Sequence, residues 1–450
     1  VVQRILVPFS GEGSGSEELT WGQKNIWRQM LETGTPMMVG GTMPLAPGTT
    51  KQNLIHLLSF IMSRHESLRT RIQVGEDGVP KQVVADSGEI ALEVIDIEET
   101  VNAADFAESV RQRFLDEPFE ANTDWPVKMA IIQQNDTPVH FVAMYAHIVI
   151  DGYGFEALTR DLSNLDQETG AHLSPRQGTQ PREIARQQHS PAGQRAGEAS
   201  LRYWERHMMS IPAVRFRELG DQGEPRYIDA TYDSRAAFLA LQVLANRVQL
   251  HSGPILLAAY AVALTRITGV NPSVVRTLVS NRFRPGFAES VGVLIQPGLC
   301  VMDVANCTFE EAIVRAWRAQ VSAGKHGYYD PQAFIALQAR VKEARGVEVD
   351  LNCYFNDGRR GMAIQPGGPT PTEQELREAL ALSTLKPGAP VRIPEMTSFL
   401  TVNLVAETIN YSLRVDTHHL TASEQEDILR LMEDLLVSSA IDPQTVTGVA

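Results

Sequence analysis

At Leu54, Leu57, Leu58 and Ile61, apolar residues recur at intervals of three and four, which sets them on one face of a helix. The same period runs through Ile428, Leu431, Met432, Leu435 and Leu436 near the end of the chain. Each run follows a capping pair, Thr49 with Gln52 before the first and Thr421 with Glu424 before the second. In such a pair the hydroxyl and the longer side chain each satisfy an amide that the first helical turn leaves without an acceptor. Thr20 with Gln23 and Thr308 with Glu311 predict two more helices, running to about Met30 and about Lys325. Helices are also expected over 103–114 and 253–265, the latter containing ten consecutive apolar residues, well short of the roughly 20 needed to span a bilayer. Short β-branched or alternating runs predict strands at 83–84, 91–97, 273–280, 291–295, 351–355, 401–405 and 411–415. Residues 127–133 and 139–145 flank the turn Asn135-Asp136-Thr137-Pro138 as a hairpin. Helices and strands mix without regular βαβ alternation, so the class is α+β.

Between about 166 and 199 this periodicity fades into Gln, Pro, Gly, Ser and Arg, which places a linker at 166–198 between units at 1–165 and 199–450. At 450 residues, two or three compact units are expected at about 150 residues each. Arg176, Arg182, Arg186 and Arg195 make the linker locally basic, either as a solvated stretch or as a surface for an acidic partner. The whole chain carries a formal charge of −14, which repels phosphate backbones and anionic lipid and argues against nucleic-acid and membrane partners. No charged segment followed by an apolar run opens the chain, and Cys300, Cys307 and Cys353 form no C-x-x-C pair. A cytoplasmic protein with buried thiols, without disulfides or a metal site, is the expectation. Gly11, Gly13 and Gly15 lack phosphate-loop spacing and read as a mobile start, and His418-His419 reads as a surface pair.

The hairpin runs into Tyr145-Ala146-His147-Ile148-Val149-Ile150-Asp151-Gly152, with a helix restarting near Phe155. Three apolar residues between the histidine and the aspartate predict a buried loop. Its imidazole can accept a proton near neutral pH, and the Gly152 N–H is a candidate donor to an oxyanion. Spacing alone equally allows a core histidine and an Asp151 that merely caps the next helix.

Arg64-His65-Glu66-Ser67-Leu68-Arg69-Thr70 and Asn281-Arg282 accompany this loop in order. Together they resemble the condensation domains of nonribosomal peptide synthetases, within the chloramphenicol-acetyltransferase-like superfamily. The signature HHxxxDG is matched from Ala146 to Gly152 except at its first histidine. Residues 19–27, Tyr203-Trp204, residues 291–297, residues 411–416 and Asp442-Pro443 extend the resemblance over nearly the whole chain.

The resemblance implies two acetyltransferase-like lobes in a V-shaped pseudo-dimer, with a tunnel between them and a monomeric protein. It implies a free-standing condensation enzyme that takes an acyl or aminoacyl thioester from the phosphopantetheine arm of a carrier protein. The acceptor is an amine or alcohol, free or carrier-bound, and no cofactor or metal is bound. His147 matches the base, Asp151 matches a structural residue paired with Arg282 or Arg64, and Tyr328-Tyr329-Asp330 and residues 352–357 are tunnel-lining candidates. Ala146 in place of the first histidine, and Gln296-Pro297 where the family usually has Asn-Thr, leave two outcomes: an unusual acceptor, or lost chemistry with a recruiting role. A coenzyme-A-dependent acyltransferase with the shared HxxxD loop ranks last, because its DFGWG motif is absent.

Overall fold

The computed structural model describes residues 2–391 and 396–450. The chain forms two units, Val1–Arg195 with Ser280–Ile295, and Ala196–Val279 with Gln296–Ala450. The first unit therefore takes back a 16-residue segment from the middle of the region expected to be one C-terminal lobe.

In the first unit the elements run β1 (Val2–Ser10), β2 (Gly15–Glu18), α1 (Trp21–Thr33), β3 (Met38–Pro44), α2 (Lys51–Arg64), β4 (Thr70–Val74), β5 (Pro80–Val84), β6 (Ser87–Asp96), α3 (Ala103–Asp116), β7 (Val127–Gln134), β8 (Thr137–Ala146), α4 (Gly152–Asp161) and α5 (Pro181–His189). The main sheet has the order β1-β6-β7-β8-β3, and β2-β5-β4 form a small second sheet. One face of the main sheet packs Leu92, Met129 and Ile131 among Leu58 and Ile61 of α2 and Leu158 of α4. Its other face packs Ala130, Ile132 and Val142 among Ala107, Val110 and Phe114 of α3. A strand covered on both sides reads as a nearly continuous apolar run, which is why 127–133 stands out in the sequence.

Thr20 and Gln23 cap α1 reciprocally as expected. The cap of α2 lies one residue further on, at Thr50 with Asn53, because the Thr49 hydroxyl donates to the Ala46 carbonyl instead. The hairpin turn is shorter than expected, with Asn135 and Asp136 both at positive φ and Pro138 already inside β8. Such a two-residue turn matches the twist of the strands it joins, and Asn and Asp tolerate it. The start of the chain is ordered: β1 pairs with β6 over nine residues, and the buried Arg69 guanidinium donates to the carbonyls of Glu12, Gly13 and Ala85.

The expected linker is likewise structured. It carries α5 and the beginning of α6 (Pro191–Ser210). Arg182 of α5 pairs with Glu66, and Gln188 accepts from the Trp21 amide, so the polar composition is spent on specific bonds within the first unit.

The second unit continues with β9 (Tyr227–Ser234), α7 (Arg235–Val248), α8 (Ser252–Thr268), β10 (Ser273–Val279), β11 (Gln296–Met302), α9 (Phe309–His326), α10 (Pro331–Arg345), β12 (Cys353–Asp357), α11 (Glu373–Leu380), β13 (Thr384–Pro390), β14 (Ser398–Asn403), β15 (Ile409–Asp416) and α12 (Ala422–Ile441). Its sheet runs β11-β10-β12-β14-β15-β9-β13. The apolar run of α8 is fully buried among α7, α9 and α12. Among the described residues no single helix is long and apolar enough to cross a membrane.

All three cysteines are free and buried. Burial pushes the Cys300 thiol up to about 12 and Cys353 up to about 11. Because the thiolate is the reacting species, a thiol reagent such as DTNB at pH 8 is expected to leave both unmodified in the native protein and to titrate all three cysteines in denaturant. Rapid native labelling of Cys300 would show that this core opens.

Candidate active site

The site is assembled at the end of β8, where the chain leaves the sheet and turns into α4. Ile148, Val149 and Ile150 are buried and anchor the connecting loop, while His147 is half-buried. The His147 amide donates to the Met37 carbonyl at 3.1 Å, and its ring Nδ1 lies 2.9 Å from the Ile150 carbonyl. A carbonyl oxygen can only accept, so Nδ1 carries the hydrogen and the neutral ring keeps its lone pair on Nε2. The loop thus selects one tautomer of an imidazole that has no partner on Nε2 among the described residues.

Asp151 is 1% exposed and closes the loop. Its Oδ1 caps α4 by accepting from the Gly154 amide at 2.7 Å and lies 2.9 Å from Arg282 Nη2. Its Oδ2 accepts from the Leu294 and Ile295 amides at 2.8 and 3.0 Å and from Arg282 Nη1 at 3.1 Å. The cap and the ion pair, alternatives by spacing alone, are both made by one carboxylate. Arg282 also donates to the carbonyls of Ser290 and Gly292.

These bonds explain why residues 291–295 do not form the expected strand: two of their amides are turned to a side-chain carboxylate instead of a neighbouring strand. Gly154 is required where α4 meets this segment, since a Cβ there would lie 2.8 Å from the Gly292 carbonyl. At Gly22 in α1 a Cβ would come within 2.2 Å of the Val293 carbonyl. Gly152 opens α4, where the first amides of a helix have no intrahelical acceptor.

Arg64, the other candidate partner of Asp151, stands elsewhere. Its guanidinium holds Asp161 at the end of α4 through Nε and Nη2, and the Ser174 carbonyl through Nη1. His65 Nε2 also lies 3.0 Å from Asp161. Burial alone would raise the Asp161 carboxyl, but hydrogen bonds from His65 and Arg64 outweigh it and hold the group well below the usual carboxylate range. Burial lowers the pKa of His65.

A histidine kept neutral in the folded state adds stability that is complete above its ordinary pKa of about 6.5 and is lost as pH falls below it. Wild-type protein is therefore expected to lose more thermal stability between pH 7.5 and pH 5.5 than His65→Gln. Equal losses in parallel melting curves would show that His65 does not set this slope.

The remaining candidates lie in the second unit, where several are held by contacts of their own. Tyr329 packs edge-on to Trp204, and its hydroxyl donates to the Pro297 carbonyl. Gln296 donates to the Tyr329 carbonyl, Phe355 is fully buried in β12, and Asp357 is held by Arg359. Sequence reasoning missed Met37 and the carbonyl of Gly292. Backbone groups carry no residue-type signal, although a glycine in the first turn of a well-capped helix, as at Gly22, is a trace of close approach.

The sequence pattern of the family described as Condensation domain matches residues 18–435. Nonribosomal peptide synthetase kk1B of Curvularia clavata is 25% identical over 327 residues, covering 69% of this chain and 2% of that synthetase. Among solved structures, one of condensation domain-mediated chain release from the enacyloxin polyketide synthase superposes with a TM-score of 0.71 at 17% identity, over 96% of this chain and 85% of that one. The X-domain solved with OxyB from teicoplanin biosynthesis gives 0.68 at 16% identity, over 96% and 95%. At these identities the structural likenesses establish a shared fold.

Proposed function

The chain belongs to the condensation-domain family of nonribosomal peptide synthesis, and on that premise we propose that it transfers an acyl or aminoacyl group from a carrier-protein thioester to an amine or alcohol. The observation that carries this reading is the fixed imidazole of His147, with Nδ1 engaged by the Ile150 carbonyl and Nε2 left as a base. Nε2 takes the proton of the acceptor as its nitrogen or oxygen attacks the thioester carbonyl carbon. The C–S bond then breaks, and the departing phosphopantetheine thiolate receives the proton from the imidazolium. The Gly152 N–H, at the positive end of α4, is the proposed donor to the oxyanion that forms between these steps. Asp151 and Arg282 act through the backbone, holding the loop against residues 290–295.

In the test, an acyl-loaded carrier protein is incubated with a panel of amines and alcohols, and loss of the acyl group is followed by intact-protein mass spectrometry beside His147→Ala. Acyl loss that needs His147, with a matching product, supports the reading and gives the acceptor class. Retained activity in folded His147→Ala keeps the transfer reaction and removes His147 as its base.

A second reading is supported by Ala146, which replaces the first histidine of the signature, and by the X-domain neighbour solved in complex with OxyB. In that reading the chain recruits carrier-bound intermediates or tailoring enzymes without chemistry of its own. Carrier binding with no product from any acceptor would favour it.

A further inference from the structure

Met37 precedes β3 with φ at +48°, in the left-handed region where a Cβ crowds the backbone and glycine or asparagine is usual. Its carbonyl is the acceptor for the His147 amide. The register of β3 against β8 pairs Met38 with Ala146, so Met37 stands opposite His147, one rung beyond the end of the ladder. Anchored in its middle by the buried side chains of Ile148, Val149 and Ile150, the loop from His147 to Asp151 is thus also bonded at both ends, by this bond at its entry and by the Asp151 carboxylate and amide at its exit. The Ile150 carbonyl orients the ring only relative to the loop itself.

We propose that Met37 is a positioning residue for His147: the left-handed turn at Met37 aims its carbonyl at the His147 amide and so fixes the backbone beneath the imidazole. The proposal deepens the reading of His147 as the base and rests on it for its kinetic consequence. Misplacing a catalytic group by about 1 Å costs on the order of 10²-fold in rate. A β-branched residue, which tolerates positive φ poorly, should move the loop part of that way.

The experiment compares wild type, Met37→Asn and Met37→Val in the loaded-carrier assay and by NMR of protein labelled with 15N-histidine, with the His147 signals assigned through His147→Gln. Met37→Val is expected to lose about tenfold in kcat with donor KM within twofold, to expose the His147 amide to faster hydrogen exchange, and to change its ring nitrogen shifts. Met37→Asn, which accepts the left-handed conformation, is expected to stay within twofold of wild type in every readout. Should Met37→Val fail to fold, Met37→Thr, which is β-branched as well, makes the same comparison. Unchanged His147 exchange and kcat in the valine or threonine variant overturn the proposal, as does an equal loss in Met37→Asn. If the wild type transfers no acyl group, the proposed function fails, while the NMR comparison still decides whether Met37 positions His147.

Discussion

Acyl transfer by a folded His147→Ala protein is expected to fall about 10²–10⁴-fold, the usual contribution of a positioned general base. The loss should appear in kcat rather than in donor KM, because the imidazole meets the acceptor proton only as the new bond forms. Residual transfer is expected, since holding thioester and acceptor together lowers the barrier without a base. One ring nitrogen of His147 is already engaged by the Ile150 carbonyl, and alanine removes that bond too. Circular dichroism and melting curves must therefore accompany the rates. A folded variant with wild-type kcat would leave orientation of the two substrates as the whole of catalysis.

Asp151→Ala is expected to fail differently, by destabilising the first unit by about 3–5 kcal/mol, the cost of leaving one member of a buried ion pair uncompensated. Arg282 would keep its charge at 9% exposure, and the amides of Gly154, Leu294 and Ile295 would lose their acceptors. For a unit of this size the melting temperature should drop on the order of 10 °C. Replacing both partners, Asp151→Leu with Arg282→Met, should recover part of this loss. Recovery stays incomplete because the orphaned amides remain. A drop below about 2 °C in Asp151→Ala would mean that the carboxylate does not hold the returning segment as its bond distances imply.

Much of the site is legible in the sequence because its information is local. The four-residue spacing of His147 and Asp151, the apolar residues between them and the hairpin before them need no distant partner to be read. The capping pairs at Thr20, Thr308 and Thr421 are equally readable, since a cap is decided within four residues. The Thr49 pair slips by one place because two adjacent threonines offer the same chemistry, and only the preceding turn, with Ala46, distinguishes them. The strand β1 reads as a loose start because its order comes from β6, about 80 residues later. Residues 166–198 read as a linker because a polar helix such as α5 gains its stability from specific partners rather than from an apolar stripe. Those partners are Glu66 for Arg182, Glu17 of β2 for Arg186 and Glu18 of β2 for His189.

Which arginine meets Asp151 cannot be read locally. Arg64 and Arg282 are chemically identical candidates, and the choice falls to Arg282 because residues 280–295 return to the first unit while α2 aims Arg64 at the far end of α4. The same return turns two amides of a strand-like sequence toward a carboxylate, and the residue before β3 brings its carbonyl to the His147 amide. Residue types, spacing and caps set the elements and the chemical groups of the loop, because these depend on neighbours a few positions apart. Partners, tautomer and orientation were set by folding, because they depend on backbone groups that are the same in every residue and are distinguished only by where the chain places them.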